Sequence, residues 1–341
     1  MEKNENDQTV LITGSAGFIG FHLSKKLLDS GWKVIGLDSL SNYYDVNLKK
    51  SREDILKKYD KYISIRQNIE HPSALRSIFR EYTPNIVVHL AAQAGVRYSI
   101  ENPRAFLESN VIGTFELLEA AREYAPQHML MASTSSAYGV QFQKPYFETF
   151  KADHQMSFYA ATKKSNESFS HSYSHLYTLP ITMLRFFTVY GPWGRPDMAL
   201  FKFTQSIINK KPIEVFNFGK MKRDFTYIDD LVEAIFRLFS KVPNLEEQKL
   251  YKYDCLSSVA PFRVVNIGNA TEVDLNDYIE AIEEELGQKA RKTFLPMQPG
   301  DVPSTLASTD LLFELTNYSP NTPFKKGIKA FVDWYQDYYK T

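Results

Sequence analysis

In the stretch SFYAATKKSNESF (157–169), Tyr159 stands four residues before Lys163 in what reads as the first turn of a helix. Positions i and i+4 share a helix face, so a phenol and an ammonium group lie side by side. A free phenol titrates near about 10 and is a poor base at neutral pH. A neighbouring ammonium, together with a positive nicotinamide ring, favours the phenolate and brings it toward the working range. Such a pair can take the proton of an alcohol while hydride leaves the same carbon. The competing reading is an exposed aromatic beside a solvated lysine, because this spacing occurs on many surface helices. Just upstream, ASTSSAYG (132–139) presents the hydroxyls of Thr134, Ser135 and Ser136 at the end of an expected strand. One of them can hold a substrate oxygen, and the others can satisfy backbone groups.

A hydride needs an acceptor, and the N-terminal stretch VLITGSAGFIGFHLSKKLLDSG supplies the features of a dinucleotide site. Gly14, Gly17 and Gly20 fall between an apolar strand and a helix, where absent side chains permit a tight turn and close approach of a pyrophosphate. The spacing is GxxGxxG, a variant of the usual GxGxxG. The next expected strand, WKVIGLD, ends in Asp38, whose carboxylate can bond an adenosine ribose and repel a 2′-phosphate. NAD is therefore expected rather than NADP.

The elements that position these residues alternate. Apolar runs at 9–13, 32–37, 62–66, 85–92, 128–133 and 181–187 are separated by helical patterns near 18–30, 72–82, 103–124 and 158–177. That rhythm predicts βαβ units and an α/β fold with a Rossmann-type, doubly wound parallel sheet. After about Gly191 the pattern becomes irregular, with helices expected near 199–210, 229–240, 275–286 and 324–338 and short strands such as IEVFNFG. The expected organisation is a dinucleotide-binding domain over 1–187, its first eight or so residues a tail, and a smaller α/β substrate domain over 188–341, partly interleaved with the first. The segment 244–258 reads as a loop insertion.

Composition leaves room for this. The 341 residues are 43% hydrophobic and 23% charged, with Lys+Arg and Asp+Glu both at 40, so no net field attracts nucleic acid or an anionic membrane. The single cysteine, Cys255, rules out a disulfide or a CxxC redox pair within the chain and suits a reducing cytoplasm. No stretch approaches the roughly 18 uninterrupted apolar residues of a membrane span, and the polar N-terminus carries no apolar signal region. His171 and His175 are four apart, yet a solvated helix face is the expected reading and no metal is expected.

With TGSAGFIGFHLSKKLL, DSLSNYYDVNLKK, HLAAQAGVRYSIENP, YAATKKSNE, LRFFTVYGPWGRPDMALFKF, GKMKRDFTYIDD and QPGDVP in place, the chain resembles the extended short-chain dehydrogenase/reductases. Within them it resembles the nucleotide-sugar 4-epimerases, and among those the UDP-glucuronate 4-epimerases, from Val10 to about Tyr338. The resemblance implies transient NAD-dependent oxidation at C4 of a UDP-sugar with Tyr159 and Lys163 as the catalytic pair. It places the catalytic hydroxyl on Thr134, with Ser135 and Ser136 beside the substrate. It implies cofactor contacts from Gly14, Gly17, Phe18, Ile19, Gly20, Asp38, Asn68, Ile69, Leu90, Ala91, Ala92, Gln93 and Asn110, besides Tyr159 and Lys163. Asn68 departs from the aspartate common in the family, and its carbonyl oxygen can still accept from the adenine amino group.

Substrate contacts implied by the same resemblance are Arg223 on the UDP pyrophosphate, suited by guanidinium geometry, and Asp301 on the nucleotide's ribose. Thr188 stands where neutral-sugar epimerases tend to have asparagine, and Arg195 follows in the same loop. A hydroxyl and a cation suit a sugar with a C6 carboxylate, for which Arg97 is a further candidate. Rival readings are a UDP-glucose or UDP-N-acetylglucosamine 4-epimerase, a UDP-glucuronate decarboxylase, and a dinucleotide-binding sensor without turnover. STSSAYG lacks the glutamate that decarboxylases typically carry there. Helices 103–124 and 158–177 carry apolar residues on more than one face, and because relatives pair such helices the resemblance implies a homodimer; the competing reading is burial against the chain's own sheet.

Overall fold

A computed structural model describes residues 8–246, 249 and 252–341. Residues 1–7 of the expected tail, and 247, 248, 250 and 251 of the expected loop, lie outside the described residues. The strands are β1 Thr9–Thr13, β2 Lys33–Asp38, β3 Tyr62–Arg66, β4 Ile86–His89, β5 His128–Thr134, β6 Ile181–Phe186, β7 Thr188–Tyr190, β8 Ile213–Phe216, β9 Lys222–Tyr227, β10 Phe262–Ile267, β11 Glu272–Asp274 and β12 Lys292–Leu295. The helices are α1 Phe18–Asp29, α2 Val46–Leu56, α3 Ala74–Tyr82, α4 Tyr98–Glu101, α5 Pro103–Phe106, α6 Gly113–Glu123, α7 Phe158–Tyr177, α8 Ala199–Ile208, α9 Ile228–Leu238, α10 Leu275–Leu286, α11 Asp310–Thr316 and α12 Phe324–Tyr339.

Seven strands pair in parallel in the order β10-β6-β5-β4-β1-β2-β3. All five residues of β1 are buried because helices cover both faces of the sheet. Val10 and Ile12 pack with Phe21, Leu27, Ile235 and Leu311 on one side, while Leu11 joins Phe79, Leu117 and Leu118 on the other. That period-2 split is what a parallel strand between two helical layers requires. The strand order reverses between β1 and β4, and in such sheets ligands bind at the carboxyl ends of strands beside that point.

The chain returns to this unit after residue 188. Helix α9 packs on α1, α11 on the same face, and β10 becomes the edge strand beside β6. The remaining elements form a second, smaller layer. A sheet β11-β9-β7 and a pair β12-β8 share a core with α8, α10 and α12 built on Phe201, Phe225, Tyr278, Ile282 and Phe331.

Three local features differ from the sequence expectation. The strand expected over 85–92 ends at His89, and residues 90–93 leave it as a loop: Leu90 N–H donates to Thr13 O (3.1 Å) and Ala91 N–H to Thr13 Oγ1 (3.2 Å). The helix expected over 103–124 is interrupted by a π-helical turn, Leu107–Ile112, which turns Asn110 inward to full burial. Such bulges re-aim a side chain at the expense of regular hydrogen bonding. Helix α2 had no counterpart in the reading, because its buried residues include Lys49, Arg52 and Glu53 as well as Leu48 and Leu56.

Candidate active site

One cleft of about 1400 Å³ runs along the carboxyl ends of the sheet strands and under the smaller layer. Its lining contains every residue expected to meet cofactor or substrate except Asn110. Asn110 instead sits one layer behind. Its Oδ1 accepts from Gln93 N–H (2.8 Å), and its Nδ2 donates to Gln93 O and Thr162 Oγ1 (both 3.0 Å). It thereby ties the 90–93 loop to α7.

At one end of the cleft lies the glycine turn. Gly14 has φ +78, and a Cβ there would come within 2.8 Å of Ala91 N; one on Gly20 would collide with Gly14 O. Gly17 caps α1 without any side-chain hydrogen bond, so the first N–H groups of the helix remain for a ligand, and an anion is the ligand such an end accepts. Asp38 ends β2 with its oxygens fixed by Ala16 N–H (3.0 Å) and Leu40 N–H (2.8 Å). Phe18, Ile19, Asn68, Ile69, Leu90, Ala91, Ala92 and Gln93 complete this end. The turn, the uncapped helix and the carboxylate fit a dinucleotide's pyrophosphate and ribose.

In the middle, α7 carries the expected pair. Ser157 starts the helix as its cap, accepting from Ala160 N–H (3.1 Å). Lys163 is almost fully buried and donates to Ala132 O (2.9 Å), and burial pushes its ammonium down to about 8. Burial also raises Tyr159 above the ordinary phenol value; a hydrogen bond from Thr134 and the positive charge of Arg195 act the other way. The charge of Arg195 thus favours the phenolate, while Lys163 donates to the strand carbonyl. Thr134 Oγ1 accepts from Ser136 N–H (3.1 Å), which leaves its proton for the phenol. Ser135 and Ser136 line the cleft beside it.

Behind this strand end lies a buried ionic layer. Glu167, one turn beyond Lys163, accepts from Ser133 Oγ (2.6 Å) and from Arg185 Nε and Nη2 (2.9 and 2.8 Å), and the guanidinium beside it holds its carboxyl down at about 2. Glu148 accepts from Asn266 N–H (2.9 Å), has no partner for Oε2 among the described residues, and is pushed up to about 7 by burial. These groups fix β5, β6, β10 and α7 relative to one another. Nothing in their sequence spacing marks them, since the partners are 18 to 118 residues apart.

At the far end, Thr188 opens β7, and Arg195 donates through Nε (3.0 Å) and Nη2 to both oxygens of Asp197, to which Tyr43 OH also donates (3.2 Å). Among the described residues Arg195 Nη1 has no hydrogen-bond partner. Asp197 and Tyr43 were not foreseen; the arginine-proline-aspartate spacing in 195–197 was the available signal. Arg223 lines the cleft with Nη1 donating to Lys222 O (2.8 Å) and Pro303 O (3.2 Å), and Asp301 supports its charge. Arg97 pairs with Asp301 (3.2 Å) and lies on the Phe216 ring (4.0 Å), which places it with Arg223 rather than with Arg195. His171 and His175, read as solvated, fasten a loop through Ser257 Oγ (2.9 Å) and Val259 O (2.6 Å). Among the described residues no three metal-ligating side chains converge, and no helix is long and apolar enough to cross a membrane.

Comparison with known proteins follows the same lines. The profile of the family described as "NAD dependent epimerase/dehydratase" matches residues 10–253. A Rhizobium meliloti (strain 1021) protein named "Probable UDP-glucuronate 4-epimerase" is 50% identical over 97% of each chain. UDP-glucuronate 4-epimerase 4 of Arabidopsis thaliana is 42% identical over 98% of this chain and 76% of its own. The solved UDP-glucuronic acid 4-epimerase of Bacillus cereus, in complex with UDP-glucuronic acid and NAD, superposes with a TM-score of 0.87 at 31% identity, covering 97% of this chain and all of that one.

Proposed function

The chain belongs to the NAD dependent epimerase/dehydratase family, and from that premise we propose that it is a UDP-glucuronate 4-epimerase, interconverting UDP-glucuronate and UDP-galacturonate. The observation that carries the reading is one cleft lined by a dinucleotide turn, a phenol with the Thr134 hydroxyl acting on it, and an arginine whose charge favours the phenolate. NAD, when bound, supplies a reversible hydride acceptor.

The chain's own residues do the rest. Tyr159 removes the C4 hydroxyl proton as the carbon is oxidised and returns it when the 4-keto sugar, turned over in the site, is reduced on its other face. Thr134 donates to the same phenol and steadies its anion. Lys163 fixes α7 against β5 through Ala132 O and adds a partly retained positive charge. Arg223 neutralises the UDP pyrophosphate, Asp301 accepts from the ribose, and Arg97 holds Asp301 in place. Thr188 and the free N–H of Arg195 bind the C6 carboxylate.

That carboxylate poses a hazard, because a 4-keto uronic acid is a β-keto acid and loses carbon dioxide when its C–C bond aligns with the ketone π system. Holding the carboxylate near the ring plane suppresses that loss by orientation. The enzyme is read as cytoplasmic and as a homodimer. Exposed Leu107, Ile112 and Phe115 before and on α6, with Phe169 and Leu176 on α7, form the apolar surface such pairing would cover. Incubation of the purified protein with UDP-glucuronate, with the products resolved by NMR, tests the reading: UDP-galacturonate is expected. A UDP-pentose as main product, or conversion of UDP-glucose alone, overturns it.

A further inference from the structure

Helix α2 contributes a side chain to no reacting group, yet it holds the most deeply buried arginine near the cleft. Arg52 has no exposed surface, and among the described residues no carboxylate lies within ion-pair distance. Its partners are neutral acceptors on three separate segments. Nη1 donates to Ala16 O in the glycine turn (3.0 Å) and to Tyr44 OH in the loop after β2 (2.9 Å). Nη2 donates to Trp193 O (2.6 Å) and Gly194 O (3.3 Å), while Nε is buried without a partner among the described residues. A guanidinium buried against carbonyls and a hydroxyl, with no carboxylate, is costly, so its retention asks for a reason.

The Trp193 and Gly194 carbonyls it grips belong to the loop that carries Arg195. That loop is held in unfavourable backbone geometry, with Trp193 at φ +60 and Gly191 at φ +142, the first of which costs energy for a bulky residue. His22, on α1 directly after the glycine turn, donates from Nε2 to Pro192 O (2.9 Å); the carbonyl can only accept, so that nitrogen carries the proton. Tyr43 then reaches Asp197, the partner of Arg195. Pro192, Trp193, Gly194 and Asp197 are therefore each bonded from an element of the dinucleotide side.

We propose that Arg52 is a positioning residue for Arg195: its fork locks the 193–194 carbonyls to the glycine turn, and so aims the Arg195 guanidinium at the sugar's C6 carboxylate. The inference rests on the carboxylate role assigned to Arg195 above. It makes uronic-acid specificity depend on a residue that touches neither sugar nor cofactor. Lysine at this position carries the charge but has a single head and cannot bridge the two sides.

The test is a double-mutant cycle on the NAD-loaded protein, with affinities for UDP-glucuronate and UDP-glucose measured by calorimetry. Arg52→Lys is expected to lower the preference for UDP-glucuronate about tenfold, the worth of one charge-assisted hydrogen bond. In an Arg195→Ala background it is expected to lower it no further, because residues acting through one another are non-additive. Equal losses for both ligands, or additive losses with Arg195→Ala, would overturn the proposal. His22→Leu, which removes only the Pro192 bond, provides a second arm: a fall of about threefold in the same ratio is expected, and an unchanged ratio counts against the clamp. If the unsubstituted protein shows no preference for UDP-glucuronate, the assignment of the sugar site fails first and takes this proposal with it. A preference that survives Arg52→Lys overturns this proposal alone.

Discussion

Replacing Thr134 by valine removes a hydroxyl while keeping the branched shape of a nearly buried side chain at the end of β5. The hydroxyl accepts from Ser136 N–H (3.1 Å) and acts on the Tyr159 phenol against the upward push of burial. A hydrogen bond to a charged group contributes about 1.5–3 kcal/mol, and one pKa unit corresponds to about 1.4 kcal/mol. Loss of the donor should therefore raise the Tyr159 pKa further. Only the phenolate can take the C4 proton, so the acidic limb of the kcat profile moves to higher pH. At a fixed pH on that limb, turnover falls about 10- to 100-fold. The assay is kcat against pH for Thr134→Val beside Ser135→Ala and Ser136→Ala. An unmoved limb in Thr134→Val, or a larger shift in either serine variant, would refute the reasoning and reassign the catalytic hydroxyl.

Asp38→Asn keeps an acceptor for one of the two N–H groups, Ala16 or Leu40, that bond the carboxylate but removes the charge that repels a 2′-phosphate, so the ratio of NADP to NAD affinity should rise about tenfold or more, measured by calorimetric titration. Glu148→Gln keeps an oxygen for Asn266 N–H and removes a buried ionisation. Because the folded-state pKa of Glu148 is raised to about 7 from 4.5, its carboxyl favours the fold below the unfolded value and loses that contribution as pH rises through 7. The variant should thus gain up to about 3 kcal/mol relative to the parent above pH 7 and little or nothing below pH 4.5, read from urea unfolding across pH; a pH-independent difference would contradict the assignment.

Most of the central sheet was legible in sequence because its strands are buried on both faces and read as apolar runs, β1 entirely so. The glycine turn and the Tyr159–Lys163 spacing were legible because their physics is local: a Cβ at Gly14 or Gly20 cannot be accommodated, and four residues make a helix turn. Helix α2 escaped because its buried side includes Lys49, Arg52 and Glu53, whose partners lie in other segments, so no apolar period marks it. Strand β10 follows an irregular stretch and pairs with β6 about 80 residues earlier, a contact with no local signature. At the site, the residue types were legible and their pairings were not. Spacing cannot tell that Lys163 bonds Ala132 O, that Arg195 is forked on Asp197, or that Asn110 faces Gln93 from behind.

The proposed reaction oxidises C4 within one site and returns the same hydrogen to the same carbon. UDP-glucuronate carrying deuterium at C4, incubated with the purified protein in ordinary water, tests it most directly. Retention of the label at C4 of the UDP-galacturonate formed, read by NMR and mass spectrometry, together with loss of conversion in Tyr159→Phe, is the predicted result. Wash-out of the label into solvent, or label retained at undiminished rate with phenylalanine at 159, would contradict it.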